Sequence, residues 1–445
     1  MATTKLRTRI STRRGLTALS AVAALALLAG CTSASTTSSS SSSQPSGTLQ
    51  MIVSSSDSSD AAFKAVNAAF EKKYPKVKVV FSAIPNANYQ AAKSSRLTAG
   101  NVDLLTADPV QVPSYVSSES KNNDDLSADA GAFVDLTKQP FMKNYTPTLL
   151  KAIAYNGKQY TVPTGVSYYT GVYYNKTMFT KLGLSIPTTW SQFVTLCDKL
   201  KAQGISPLGI GGKDSWPAGL PMLAAVQGLY PSTTAKDALS KGLWEKKIKL
   251  TDTQPETVMN RVQQMYGFAQ PNFAGVAYSA IPAGFASQQF AMTPDGTWDN
   301  PVIASAVGSK FSYGYFPIPT SNTAADNKYL GGKLDLQLAI PSSAKNKAAA
   351  LAYLAFYSEP STYKTYVKVS GIAPAQPNIP AGSFLDSISN YTSTFSPAWD
   401  TIWTANSKAG AAATFPFNYP GISPMGSGSA SSAAAASQSD WAAGF

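Results

Sequence analysis

The chain has 445 residues, too many for one ordinary core, so two domains are the default expectation. Its formal charge of +12 overstates its basic character: Lys5, Arg7, Arg9, Arg13 and Arg14 sit in an acid-free leader, and without those five the balance is 31 basic against 24 acidic residues. The remaining excess is thinly spread, as in Lys246-Lys247-Ile248-Lys249, and no aromatic-interleaved basic stripe of a nucleic-acid binder is present.

Residues 1–30 combine a basic start, an apolar run over 16–29 and the ending Leu28-Ala29-Gly30-Cys31. The run is too short to span a bilayer and reads as a signal peptide. Its L-A-G-C ending is similar to a lipobox, which implies cleavage before Cys31, a lipidated Cys31 thiol and a membrane anchor. Thr12-Arg13-Arg14-Gly15-Leu16 matches a twin-arginine export signal only in part, so the export route stays open. Residues 31–47, nearly all Ser, Thr and Ala, bury too little apolar surface to order themselves and read as a tether.

From residue 48 the order is strand (49–53), helix, strand (77–81), helix (87–98), strand (102–106), which predicts a parallel sheet covered by helices. Ligands of such sheets bind beyond the carboxyl ends of the strands. Asp57 and Asp108 occupy that position, each as a ligand contact or as a loop cap. Residues 155–190 then read as turn, strand, crossover, strand, helix. Asn156-Gly157 makes the turn, Asn175 caps a short helix, Gly183 stops it, and Thr188 or Thr189 caps the next. The small-residue connection over 164–169 ends in Tyr168 and Tyr169, of which alternation turns one toward a cleft.

Further along, Trp216 lies in the glycine-rich loop Gly211-Gly212-Lys213-Asp214-Ser215-Trp216, a poor place for core and a good one for a cleft. Trp298 follows Gly296 after a strand and reads as a cleft residue or as a plug beneath a loop. Leu334, Leu336, Leu338 and Ile340 alternate as one half-buried strand should. Ahead of them Gly331-Gly332 allows close backbone approach to a ligand, with Asp335 just beyond. Trp244 and at least one of Trp399 and Trp403 read as core, and the Gly/Ser/Ala-rich chain beyond Ser423 reads as loose. The complete absence of histidine removes the commonest general base, the Ser-His-Asp triad and most zinc sites. Neither a cofactor nor a metal is expected. Cys197 falls with Phe193, Leu196 and Leu200 at helical spacing and reads as an apolar core residue.

Several of these stretches carry a family resemblance. Residues 156–190 resemble "NGKxYxVP…VYYNKxMFxKLGLxxPTTW", residues 285–298 resemble "F…GKAAM…NGxW", with Ser287-Gln288-Gln289-Phe290 departing from it, and Gly371-Ile372-Ala373-Pro374 matches "GxxP". These are signatures of bacterial extracellular solute-binding proteins of the sugar-binding group, the receptors of ABC importers. The resemblance implies an α/β, two-lobed periplasmic-binding-protein-like fold with discontinuous lobes, 48–165 with 316–358 and 166–315 with 359–445. Hinge strands would cross near Val166, near Tyr315 and after Tyr357. It implies a monomer on the outer face of the cell membrane, serving an ABC permease and closing about a sugar or oligosaccharide.

The residues favour a sugar on their own account. A pyranose stacks its C–H faces on aromatic rings and needs hydrogen bonds around its rim, and Trp298, Trp216, Tyr168 and Tyr169 could stack while Asp57, Asp108 and Asp335 accept. An amino-acid receptor would want arginine opposite the carboxylate, yet after the leader only Arg96 and Arg261 remain. Two other readings stand beside it: a surface carbohydrate-active enzyme built on two of these acids, and a sensor or adhesin without transport.

Overall fold

The computed structural model describes residues 44–445, so the leader, Cys31 and most of the tether lie outside the described residues. In chain order the strands are β1 (Gly47–Ser54), β2 (Val77–Ile84), β3 (Leu104–Thr106), β4 (Thr161–Val162), β5 (Gly165–Tyr168), β6 (Gly171–Asn175), β7 (Ser206–Leu208), β8 (Phe290–Asp295), β9 (Tyr313–Pro317), β10 (Gly331–Asp335), β11 (Leu338–Ala339) and β12 (Ser396–Pro397). They form three sheets with the orders β2-β1-β3-β11-β4, β7-β8-β6-β9 and β12-β10-β5. The first two are the sheets of two α/β lobes, and the third is the crossing between them.

The first lobe follows the predicted β-α-β-α-β order, with β1 parallel to both β2 and β3. Its central strand β1 is buried on both faces: Leu49, Met51 and Val53 point one way and Ile52 the other, all at 0% exposure. That is why β1 reads as an apolar run and not as a clean alternation. The helix Asp57–Lys73 lays Phe63, Val66 and Phe70 against this sheet. Their partners come from far along the chain, with Phe63 4.9 Å from Tyr366 and Phe70 5.0 Å from Tyr353 between ring centroids.

In the second lobe the helix Trp190–Ala202 starts where the caps predict, with Thr189 accepting from the backbone of Gln192. It buries Phe193, Leu196, Cys197 and Leu200 together, and the thiol is wholly inside. Trp399 and Trp403 stack at 5.4 Å inside the same core, with Trp244 beside them, so all three are packing residues.

Four features differ from the expectation. The strand expected over 330–340 is two strands in different sheets: Leu336 takes φ 42°, which turns the chain from β10 in the crossing sheet to β11 in the first lobe. The helix Pro360–Ser370 packs on Asp57–Lys73 and shares its core through Tyr363, Tyr366 and Val367. The crossing expected after Tyr357 therefore falls later, where Ala373 exchanges two hydrogen bonds with Val166 at 2.8 and 2.9 Å. The crossing expected near Tyr315 likewise falls later, at β10, because β9 pairs with β6 inside the second lobe. Finally, the chain beyond Ser423 is not loose. Ala430–Ala443 is a helix started by a Ser429–Ser432 capping box and pinned by Trp441, 2% exposed, against Trp244 and Trp403.

Candidate ligand-binding site

Where β8 ends, the chain turns through Gly296 into the short turn Thr297–Asp299 that carries Trp298. A side chain at position 296 would put its Cβ 2.3 Å from the Trp298 ring, so only glycine lets the indole fold back over the strand end. The half-buried Trp298 ring lies 5.4 Å from Tyr169 and 6.2 Å from Trp216. Its indole N–H donates to the Tyr278 hydroxyl at 3.1 Å, and that hydroxyl donates to Asp295 at 3.0 Å. Trp216 meets Tyr278 edge-on at 4.6 Å. Four aromatic rings from separate segments thus meet at the carboxyl end of β8.

Charged groups reach the same place from the crossing sheet. Lys333 on β10 sets its ammonium 5.6 Å from the Tyr169 ring and 5.9 Å from Trp298, and pairs with Asp335 at 3.6 Å. Asp335, foremost, and then Asp400 and Asp108 raise the Lys333 ammonium above its ordinary range. Asp400 accepts the Tyr169 hydroxyl proton at 2.6 Å. Asp335 accepts from Ser167 at 2.8 Å and from the Leu336 backbone at 3.1 Å.

Asp108 reaches this cluster from the end of β3. Its carboxylate accepts from Gln337, which in turn accepts from Thr161 at 2.7 Å. The residue keeps access to water, yet protein hems in its carboxyl; that desolvation pushes it up to about 6, with Lys333 pulling the other way. The Asp108 loop is pinned from behind by a buried ion pair. Lys93 meets both oxygens of Asp124 at 2.7 and 2.9 Å, and Asp124 accepts the Asp108 backbone N–H at 2.8 Å.

The remaining expected residues divide. Tyr168 and Tyr169 face opposite ways, as alternation requires: Tyr169 joins the aromatic cluster, while Tyr168 packs into the core with Tyr173 and Phe285. Gly332 makes its close approach to protein, since a Cβ there would come within 2.6 Å of the Ser167 carbonyl. Asp57 opens its helix, and its side chain lies outside the described residues. Next to it Ser58 donates to the Trp298 carbonyl at 2.7 Å, joining the lobes.

Sequence reasoning missed Lys333, Tyr278 and Asp400. Lys333 was within reach, because it lies two residues before Asp335 on one strand and so on the same face. Nothing in the local sequence marks Tyr278 or Asp400, which arrive by tertiary folding. Among the described residues no group of His, Cys, Asp and Glu could hold a metal ion, and no helix is long and apolar enough to cross a membrane.

This fold has relatives. The family model described as bacterial extracellular solute-binding protein matches residues 54–364. The chain belongs to that family. This solute-binding protein is 27% identical over 316 residues to the multiple sugar-binding protein of Streptococcus mutans, covering 70% of this chain and 71% of that one. Among solved structures, the solute-binding protein RafE in complex with raffinose is 25% identical with a TM-score of 0.73, over 89% of this chain and 99% of that one. The apo form of RafE from Streptococcus pneumoniae gives a TM-score of 0.67 at 25% identity, over 89% and 98% of the two chains.

Proposed function

We propose that this solute-binding protein captures a sugar or oligosaccharide between its lobes and delivers it to an ABC permease, tethered outside the cell membrane through a lipidated Cys31. The observation that carries the reading is the cluster at the end of β8. Trp298, Tyr169 and Trp216 offer ring faces for a pyranose, and Lys333, Asp108 and Asp400 supply a donor and acceptors for its hydroxyls. The printed names of the relatives, a multiple sugar-binding protein and a raffinose complex, support the same ligand class. Closure would turn the lobes about β5, β10 and the chain near Ala373, a hinge motion of the kind that encloses ligands in such receptors.

Binding is favoured over hydrolysis by the state of Asp335. Its oxygens accept from Ser167 and the Leu336 N–H and pair with Lys333, contacts that suit a carboxylate holding the crossing sheet and the ammonium in place better than one member of a glycosidase acid pair with Asp108.

A thermal-shift screen over mono- and oligosaccharides tests the reading, because a ligand that binds only the folded state raises its melting temperature by mass action. A concentration-dependent rise with at least one sugar is expected. A flat response across the sugars, with a rise for amino acids or peptides, would overturn it.

A further inference from the structure

Resting on that reading, we propose that the Trp298 subsite accepts an uncharged or amino-bearing sugar ring and rejects a uronate, and that the carboxylates gathered around Lys333 make the distinction. The aromatic platform alone would not discriminate, since the ring faces of a neutral hexose and its uronate stack alike. The charges beside it do. Lys333, 5.9 Å from the Trp298 ring and 5.6 Å from the Tyr169 ring, pairs with Asp335 at 3.6 Å; the Tyr169 hydroxyl donates to Asp400 at 2.6 Å, and Asp108 acts on the same ammonium, so the carboxylates gather beside Trp298.

One ammonium against three carboxylates leaves the subsite negative when all are ionised. Behind Asp108, the pair Lys93–Asp124 cancels itself and adds no positive charge to offset this. Asp400 is exposed, so its carboxylate meets a ligand directly, while Asp108 adds its charge from the hemmed-in end of β3. The hydrogen-bond inventory agrees: carboxylates only accept, so they suit a ligand rim of hydroxyl or ammonium donors. A ligand carboxylate would find Lys333 already held by Asp335 at 3.6 Å and would have to enter against the surplus negative charge.

The test is calorimetry at pH 7.5 with neutral trisaccharides (raffinose, maltotriose, xylotriose and galactotriose), then with the best binder after oxidation of a ring CH₂OH to the carboxylate, or with trigalacturonate if that binder has no such group. The neutral sugar should bind at least tenfold more tightly than its acidic counterpart, with the gap shrinking as salt screens the subsite. Asp400→Asn, which keeps an acceptor for Tyr169, should narrow the ratio several-fold, and Lys333→Met should widen it. Because each outcome is a ratio within one variant, loss of folded material does not imitate it. Equal affinity for the two sugars, or a ratio that neither variant moves, would overturn the inference while leaving sugar capture standing. Binding of no sugar at all would overturn sugar capture itself, and the inference with it.

Discussion

Ser58 and Trp298 lie 240 residues apart in sequence, and the Ser58 hydroxyl donates a 2.7 Å hydrogen bond to the Trp298 carbonyl. The serine stands in the first turn of a first-lobe helix and the tryptophan on the second-lobe platform, so this bond spans the cleft. Ser58→Ala should weaken sugar binding by about 1 kcal/mol, the net contribution of one hydrogen bond. The loss should appear in the dissociation rate by stopped-flow fluorescence.

Trp298→Ala removes the platform itself. Truncation of a central aromatic anchor costs roughly 2 kcal/mol or more. Calorimetry with the best sugar from the thermal-shift screen should show that loss, and an unchanged affinity would remove Trp298 from the site.

Lys93→Met leaves Asp124 buried without its partner, and breaking a buried pair in this way costs about 3–5 kcal/mol. Urea denaturation should show that destabilisation. The double variant Lys93→Met with Asp124→Asn should recover part of it, since no unpaired charge remains.

Asp295 gives the fold a pH signature. Fully buried, it shares a hydrogen bond with the Asp299 carboxyl, and desolvation pushes it up to about 7. It faces the Tyr278 hydroxyl and the Gly296 N–H, while the Tyr173 and Tyr315 hydroxyls are spent on the neighbouring carbonyls of Gly296 and Asp295. A raised carboxyl binds its proton more tightly in the folded state. Its contribution to stability is therefore present in full below about pH 4 and is lost as pH rises through 7. Asp295→Asn should flatten that part of the stability curve, measured by denaturation from pH 5 to 8.

Trp441→Ala should destabilise the protein by about 3–5 kcal/mol, because the ring fills a buried site between Trp244 and Trp403. Thermal melting checks this, and a change within error would return the last helix to the status of a loose tail.

That tail shows where sequence reasoning stops. Ala and Ser in 423–445 suit a helix or a linker equally by composition, and only Trp441 finding two other tryptophans decides between them. Leu336 makes the same point from the other side. The alternation through Leu334, Leu336, Leu338 and Ile340 is real, but it runs straight across a backbone reversal that side-chain pattern cannot register. Features with a local cause were legible: the caps at Asn175 and Thr189, the β-α-β-α-β opening, the burial of Cys197 and the Gly-x-Trp turn at 296–298. Of the aromatic cluster, the sequence pointed to Trp298, Trp216 and Tyr169 but not to Tyr278, and it also pointed to Tyr168, which packs into the core. The charged half of the site is assembled from β10 and from Asp400 near the far end of the chain, so no single stretch announces it.

The turn at Leu336 also joins two sheets. Lys333 and Asp335 sit on β10 beside the aromatic platform, and three residues past Asp335 the same chain is already Leu338, hydrogen-bonded between β3 and β4 deep in the first lobe. No loop intervenes to absorb displacement. Lys333 and Asp335 are therefore held in register by the first-lobe sheet as well as by the crossing sheet.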